Sequence, residues 1–153
     1  MISIQAVDAG DYPALLALWR RSVEATHAFL TAADVDEIEQ DVAAYLPQMP
    51  DLRVAVEGGT LVGFIAVSGA TVEMLFVDSD AQGRGIGSAL LQAAAAGHDA
   101  VRVDVNEQNA SGRAFYAARG FSEVGRSEVD GEGRPFPILH LQLLVLEPPA
   151  RPA

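Results

Sequence analysis

The chain has 153 residues, half of them hydrophobic, with no long apolar span, so it is expected to form one globular domain able to bury a core without staples. A net charge of −11 argues against nucleic acid and anionic membrane as partners, since phosphate contact needs a basic patch; it suits a solvated surface or a cationic acceptor equally. The absence of cysteine excludes disulfides, a thiol nucleophile and thiolate metal sites, and three scattered histidines lack ligand spacing, so no metal is expected.

In chain order, Ile2 to Val7 alternates as a short strand, and Asp11-Tyr12-Pro13 then opens a helix with proline in its first turn. Leu15, Leu18, Trp19 and Val23 carry that helix to about His27, and Asp34 is expected to cap a second helix reaching Leu46. Arg53–Glu57 and Leu61–Val67 flank a Gly58-Gly59 turn as a hairpin, followed by a strand from Thr71 to Asp78. A third helix covers about Ile86 to Ala96 and stops at Gly97. Next comes a strand, Ala100–Val105, with Arg102, Asp104 and Asn106 on one face, and a fourth helix, Ala110–Arg119, ended by Gly120. Two strands, Ser122–Asp130 and Phe136–Val145, flank a Gly-rich turn, and 147–153 reads as a frayed Pro-rich tail. No basic segment precedes an apolar run at the N-terminus, so no secretory signal is expected and the cytoplasm is the expected compartment.

The stretch from Val72 to Leu91 organises the rest. An apolar strand runs into a loop with Gly83, Gly85 and Gly87 at alternate positions, and the loop opens into an Ala/Leu-rich helix. Helix N-termini present unpaired N–H groups and a positive dipole end, and glycines let the backbone turn sharply and approach an anion closely. No lysine follows, which excludes the P-loop pattern. Gly83-Arg84-Gly85 starts a dinucleotide fingerprint with Asp104 beyond it, but Ser88 stands where the third glycine belongs.

Gln82-Gly83-Arg84-Gly85-Ile86-Gly87 resembles the Q/R-x-x-G-x-G/A signature of the GNAT superfamily of N-acetyltransferases, and Asn109 to Phe121 is similar to its N-x(6)-Y-x(3)-G-F block. The segments Arg21–Leu30, Val105–Asn109 and Gly125–Asp130 further resemble YjaB-like bacterial acetyltransferases, which extends the resemblance over nearly the whole chain. The resemblance implies a mixed α/β GNAT fold in the order β-α-α-β-β-β-α-β-α-β-β, spanning residues 1–146 as a single domain. It also implies transfer of acetyl from acetyl-CoA, as co-substrate, directly to an amine, either a protein lysine or a small molecule. The absence of cysteine agrees with direct transfer, because it removes an acetyl-cysteine intermediate. The alternative is a non-catalytic acyl-CoA sensor of the same fold.

The same resemblance assigns pyrophosphate to Gln82, Gly83, Arg84, Gly85, Ile86, Gly87 and Ser88, and the pantetheine arm to the strand Leu75-Phe76-Val77. Asn109 and Arg113 would also hold the cofactor, although Asn109 equally suits a helix cap. Tyr116 is the expected general acid, with plain helix packing as its other reading. Glu73, Asp104 and Asn106 are candidates for the basic side of the reaction, alone or through an ordered water, with His27 and His140 as further candidates. Ser22, His27, Phe29, Arg126 and His140 are expected to shape the acceptor pocket, unless His27 merely caps or packs a helix end. A monomer or a homodimer fits this reading.

Overall fold

The computed structural model describes residues 2–145, so the expected tail at 147–153 lies outside the described residues. The chain divides into two compact units, one running to Ala94 and the other from Ala95.

In the first unit, strands β1 (Ile2–Ala6), β2 (Asp51–Glu57), β3 (Thr60–Ser68) and β4 (Thr71–Val77) form an antiparallel meander in that spatial order. Gly58 and Gly59 have φ of +58° and +79°, the left-handed pair that a tight β2–β3 hairpin requires. Helix α1 (Tyr12–Thr26) has proline in its first turn and buries Leu15, Leu18, Trp19, Ser22 and Val23, a stripe at 3–4 residue spacing. Helix α2 (Ala32–Tyr45) starts one turn earlier than its expected cap. Thr31 is the N-cap, its hydroxyl accepting from the Asp34 amide at 3.1 Å, while the Asp34 carboxylate accepts from the Thr31 amide at 3.0 Å. Asp34 is therefore the third residue of a capping box, a reading that the Thr-x-x-Asp spacing carries.

The two faces of β3 are covered differently. Phe64, fully buried, joins Leu15, Leu18, Trp19, Val35, Val42 and Leu46 in the core beneath α1 and α2. Its neighbour Gly63 faces helix α3 (Ile86–Ala95), where a Cβ would stand 3.2 Å from both Ile86 and Leu90. Glycine at 63 thus lets α3 lie close to the strand, which sets the height of the loop that feeds it.

The second unit contains β5 (Ala100–Asn106), α4 (Ala110–Ala118), β6 (Ser122–Ser127) and β7 (Ile138–Leu144), with β7 lying between β5 and β6 and antiparallel to both. Val101, Val103 and Val105 are buried while Arg102 and Asp104 are exposed, as their alternation predicts. β6 is shorter than expected because Asp130 closes a turn, its Oδ1 accepting from the amides of Glu132 (2.9 Å) and Arg134 (2.8 Å). Apart from these boundaries and three short 3₁₀ turns, the elements and their order match the expected mixed α/β fold. Among the described residues no helix is long and apolar enough to cross a membrane.

Candidate active site

Beyond the end of β4, the Asp78 amide donates to the Val62 carbonyl at 2.9 Å, and a 3₁₀ turn over Ser79–Ala81 leads into the exposed segment 82–85. Gly83 and Gly85 have φ of +78° and +80°, and a Cβ on either would meet nothing within 4 Å. The loop therefore combines a backbone that only glycine adopts readily with open space beside it, at the start of α3, whose first amides lack helical partners. These features fit a pyrophosphate. Arg84, within the same loop, is ion-paired to Glu57 on β2.

Leu75, Phe76 and Val77 stand opposite Ile65, Phe64 and Gly63 in the β3–β4 ladder, whereas Glu73 has no opposing residue. Ala66 faces Met74 and Val67 faces Val72, so Glu73 is the extra residue of a bulge, exposed and turned out of the regular alternation. The last turn of α1 is fastened to the far end of β4. The Ser22 hydroxyl donates to the Val77 carbonyl at 3.2 Å, and Arg21 pairs with the Asp78 Oδ2 at 2.8 Å. The Arg21 guanidinium holds the Asp78 carboxyl below its usual range. Asp78 Oδ1 is buried without a hydrogen-bond partner among the described residues.

Next to this junction the predicted cluster Ser22, Thr26, His27 and Phe29 comes together. The Thr26 hydroxyl donates to the Ser22 carbonyl at 2.8 Å, so at 2.7 Å it can only accept from His27 Nδ1–H. That bond fixes the tautomer and leaves Nε2 with a free lone pair. The ring lies 5.3 Å from Phe29 and is 8% exposed, and burial lowers its pKa to about 4. His27 is thus a neutral hydrogen-bond acceptor at physiological pH.

A pH dependence follows. The folded pKa of about 4 lies below the ordinary value of 6.5, so the unfolded chain takes the proton first. The associated stability, about 3 kcal/mol, is fully present above the unfolded pKa and is lost as pH falls through 6.5 towards 4. In urea titrations, the stability difference between the wild type and His27→Gln should change by about that amount between pH ~7.5 and ~4. A difference independent of pH would show that His27 is not buried in its neutral form.

In the second unit, Tyr116 is buried, with Phe115 and Phe121 edge-on to its ring at 5.1 and 5.2 Å, and burial pushes its phenol pKa up. Asn109 caps α4, its Oδ1 accepting from the Gly112 amide at 3.0 Å. Gly112 makes this possible, since a Cβ there would fall 2.4 Å from Asn109 Nδ2. Arg113 is exposed on the first turn of the same helix. The Asn106 carbonyl accepts from the Asn109 amide at 2.9 Å, tying the end of β5 to that cap. Arg126 forms a two-pronged pair with Glu107 at 2.9 and 3.1 Å, which lowers the Glu107 pKa. Asp104 and His140 meet at 2.6 Å, and Ser127, which the sequence reading did not single out, lies 2.7 Å from the other ring nitrogen. The Arg21–Asp78 pair was likewise unforeseen, because nothing in a sequence links two charges 57 positions apart. Among the described residues no group of three or more His, Asp or Glu side chains could hold a metal ion.

Comparison with known proteins adds four findings. The profile of the Acetyltransferase (GNAT) domain family matches residues 19–138, across both units. The chain is 40% identical over 141 residues to the peptidyl-lysine N-acetyltransferase YjaB of Salmonella typhimurium, covering 92% of this chain and 97% of that protein. It is 42% identical over 142 residues to the protein of the same name from Escherichia coli K12, covering 92% and 96%. The solution structure of apo YjaB from Escherichia coli superposes with a TM-score of 0.86 at 41% identity, over 93% of this chain and 97% of that one.

Proposed function

The chain belongs to the GNAT acetyltransferase family and is an acetyl-CoA-dependent N-acetyltransferase, and from that premise we propose that its acceptor is the side-chain amine of a peptidyl lysine. The observation that carries this reading is the 40–42% identity, over 92% of the chain, to two peptidyl-lysine N-acetyltransferases. The net charge of −11 agrees with it, because an acidic protein draws cationic peptide segments towards it.

Acetyl-CoA supplies the thioester-activated acetyl group. Gln82, Gly83, Arg84, Gly85, Ile86, Gly87 and Ser88 hold its pyrophosphate, chiefly through backbone amides at the start of α3. Leu75, Phe76 and Val77 offer strand backbone to the pantetheine arm. Asn109 and Arg113, at the start of α4, assist in binding. Ser22, His27 and Phe29 line the acceptor side of the first unit, where the His27 Nε2 accepts from an N–H of the neutral amine. The imidazole cannot serve as the base, because a group protonated only near pH 4 is far too weak to deprotonate an alkylammonium of pKa about 10.4. Arg126 and His140 are the second unit's own candidates for contacting the acceptor.

In the reaction the lysine nitrogen attacks the thioester carbonyl, the carbon–sulfur bond breaks, and Tyr116 protonates the departing sulfur. Burial suits the phenol to that task in two ways. It keeps the proton on oxygen throughout the neutral range, and the same desolvation would raise the proton affinity of a thiolate placed beside it. Glu73, exposed at its bulge, and Asp104 are the candidates for receiving the amine proton, directly or through a water that Asn106 helps to order.

The acceptor class is tested with two peptides and acetyl-CoA. One has a blocked N-terminus and a single lysine, and the other has a free N-terminus and no lysine. Acetylation of the first alone is expected. Preferential modification of the second would replace lysine by a protein N-terminus as the acceptor.

A further inference from the structure

We propose that Ser127, with His140 and Asp104, forms a second acyl-transfer centre, at which the Ser127 hydroxyl takes the acyl group of an activated ester. The three residues stand on three neighbouring strands of the second unit. His140 on β7 faces Asp104 on β5 and Gly125 on β6. Its Nδ1 lies 2.6 Å from Asp104 Oδ1 and its Nε2 lies 2.7 Å from Ser127 Oγ. A carboxylate only accepts hydrogen bonds, so Nδ1 carries the proton and donates to Asp104. Nε2 is then an acceptor, and the Ser127 hydroxyl donates to it. Nucleophile, base and orienting carboxylate are therefore joined in the sequence of bonds that activates a serine, which is recognised by geometry and not by position in a chain.

The surrounding strand geometry supports this arrangement. Gly125 lies opposite His140, and a Cβ at 125 would already be in contact with the imidazole, 3.4 Å from its Cδ2. Any larger side chain would crowd the ring, which reaches Ser127 two residues further along β6. Two β ladders hold the row in register, and Ser127 and His140 are only half-buried, so an ester can reach them. Both contacts stand whether or not the acceptor is a lysine, and Ser127, unlike His140 and Asp104, has no part in the lysine-acetyltransferase mechanism.

The step balances without a further reactant. Ser127 Oγ attacks the acyl carbon while its proton passes to His140 Nε2. The bond to the leaving group breaks, and the leaving group takes that proton. Water, deprotonated by the same nitrogen, then cleaves the acyl-serine, releasing the carboxylic acid and restoring the hydroxyl.

The composition makes the test clean. The chain has neither cysteine nor lysine, so thiol and side-chain amine nucleophiles are absent, and the Ser127→Ala variant separates the serine from reaction at the three histidines. The full chain is incubated with p-nitrophenyl acetate in the absence of coenzyme A. Expected are p-nitrophenol release that falls at least about tenfold in Ser127→Ala, as loss of acid–base-assisted attack demands, and an acetyl group on the peptide containing Ser127. Release at the wild-type rate in Ser127→Ala, or acetyl mapped only to other residues, would overturn the proposal. A second variant guards against a folding defect: Ser127→Cys introduces the single thiol of the chain. Its alkylation by iodoacetamide near pH ~7 should be at least about tenfold faster than in Ser127→Cys/His140→Gln, because the imidazole favours the thiolate. Equal rates in the two would show that His140 does not act on position 127.

Discussion

Tyr116→Phe is expected to lower kcat for acetyl transfer by about two orders of magnitude, the range in which positioned proton donors act. The substitution removes one oxygen from a buried ring whose edge contacts with Phe115 and Phe121 need no hydroxyl. Thermal unfolding and the KM for acetyl-CoA should consequently change little. The loss belongs to the acid role if it shrinks with an acetyl thioester whose thiol has a lower pKa, since such a leaving group needs less protonation. A variant with unchanged kcat would leave Tyr116 as packing alone, the reading that its position between two aromatic rings also permits.

Gly85→Val should raise the KM for acetyl-CoA by roughly five- to a hundredfold, with a smaller effect on kcat. A β-branched residue at φ +80° costs on the order of 1–3 kcal/mol, and the loop can escape that strain only by leaving its present conformation. The new side chain would also occupy the open space beside the loop, where the pyrophosphate is proposed to bind. Gly58→Val is the control. It imposes comparable strain at φ +58° in the β2–β3 hairpin, so it should cost stability while leaving the KM for acetyl-CoA unchanged. Equal KM values for the two variants would remove the loop at 82–88 from the cofactor site.

The two variants also show what the sequence could reveal. Gly83 and Gly85 were legible because alternate glycines between an apolar strand and a helix have few purposes other than close backbone approach, and both have positive φ. Val101, Val103 and Val105 revealed the buried face of β5 by alternation alone. Asn109 was legible as a cap, but the need for Gly112 beneath it was not, since that depends on a contact across one helical turn. The cap of α2 was expected at Asp34 and lies at Thr31 because two good capping residues sit three apart and cooperate.

Features that depend on register were hidden. The bulge at Glu73 exists only in relation to β3, and the meeting of Asp104, His140 and Ser127 requires β7 to lie between β5 and β6. His27 was visible as an unusual residue near a helix end. Its tautomer required the Thr26 hydroxyl to donate to the Ser22 carbonyl, and its lowered pKa required burial of the ring, neither of which a spacing announces.

The most direct test of the account is the stoichiometry of transfer: free thiol released from acetyl-CoA, counted against acetyl groups found on a lysine peptide with a blocked N-terminus. Direct N-acetyl transfer predicts equal numbers of thiols and acetyl-lysines, and no thiol release when the peptide is omitted. Thiol release that is indifferent to the peptide, with the lysine left unmodified, would contradict a lysine N-acetyltransferase.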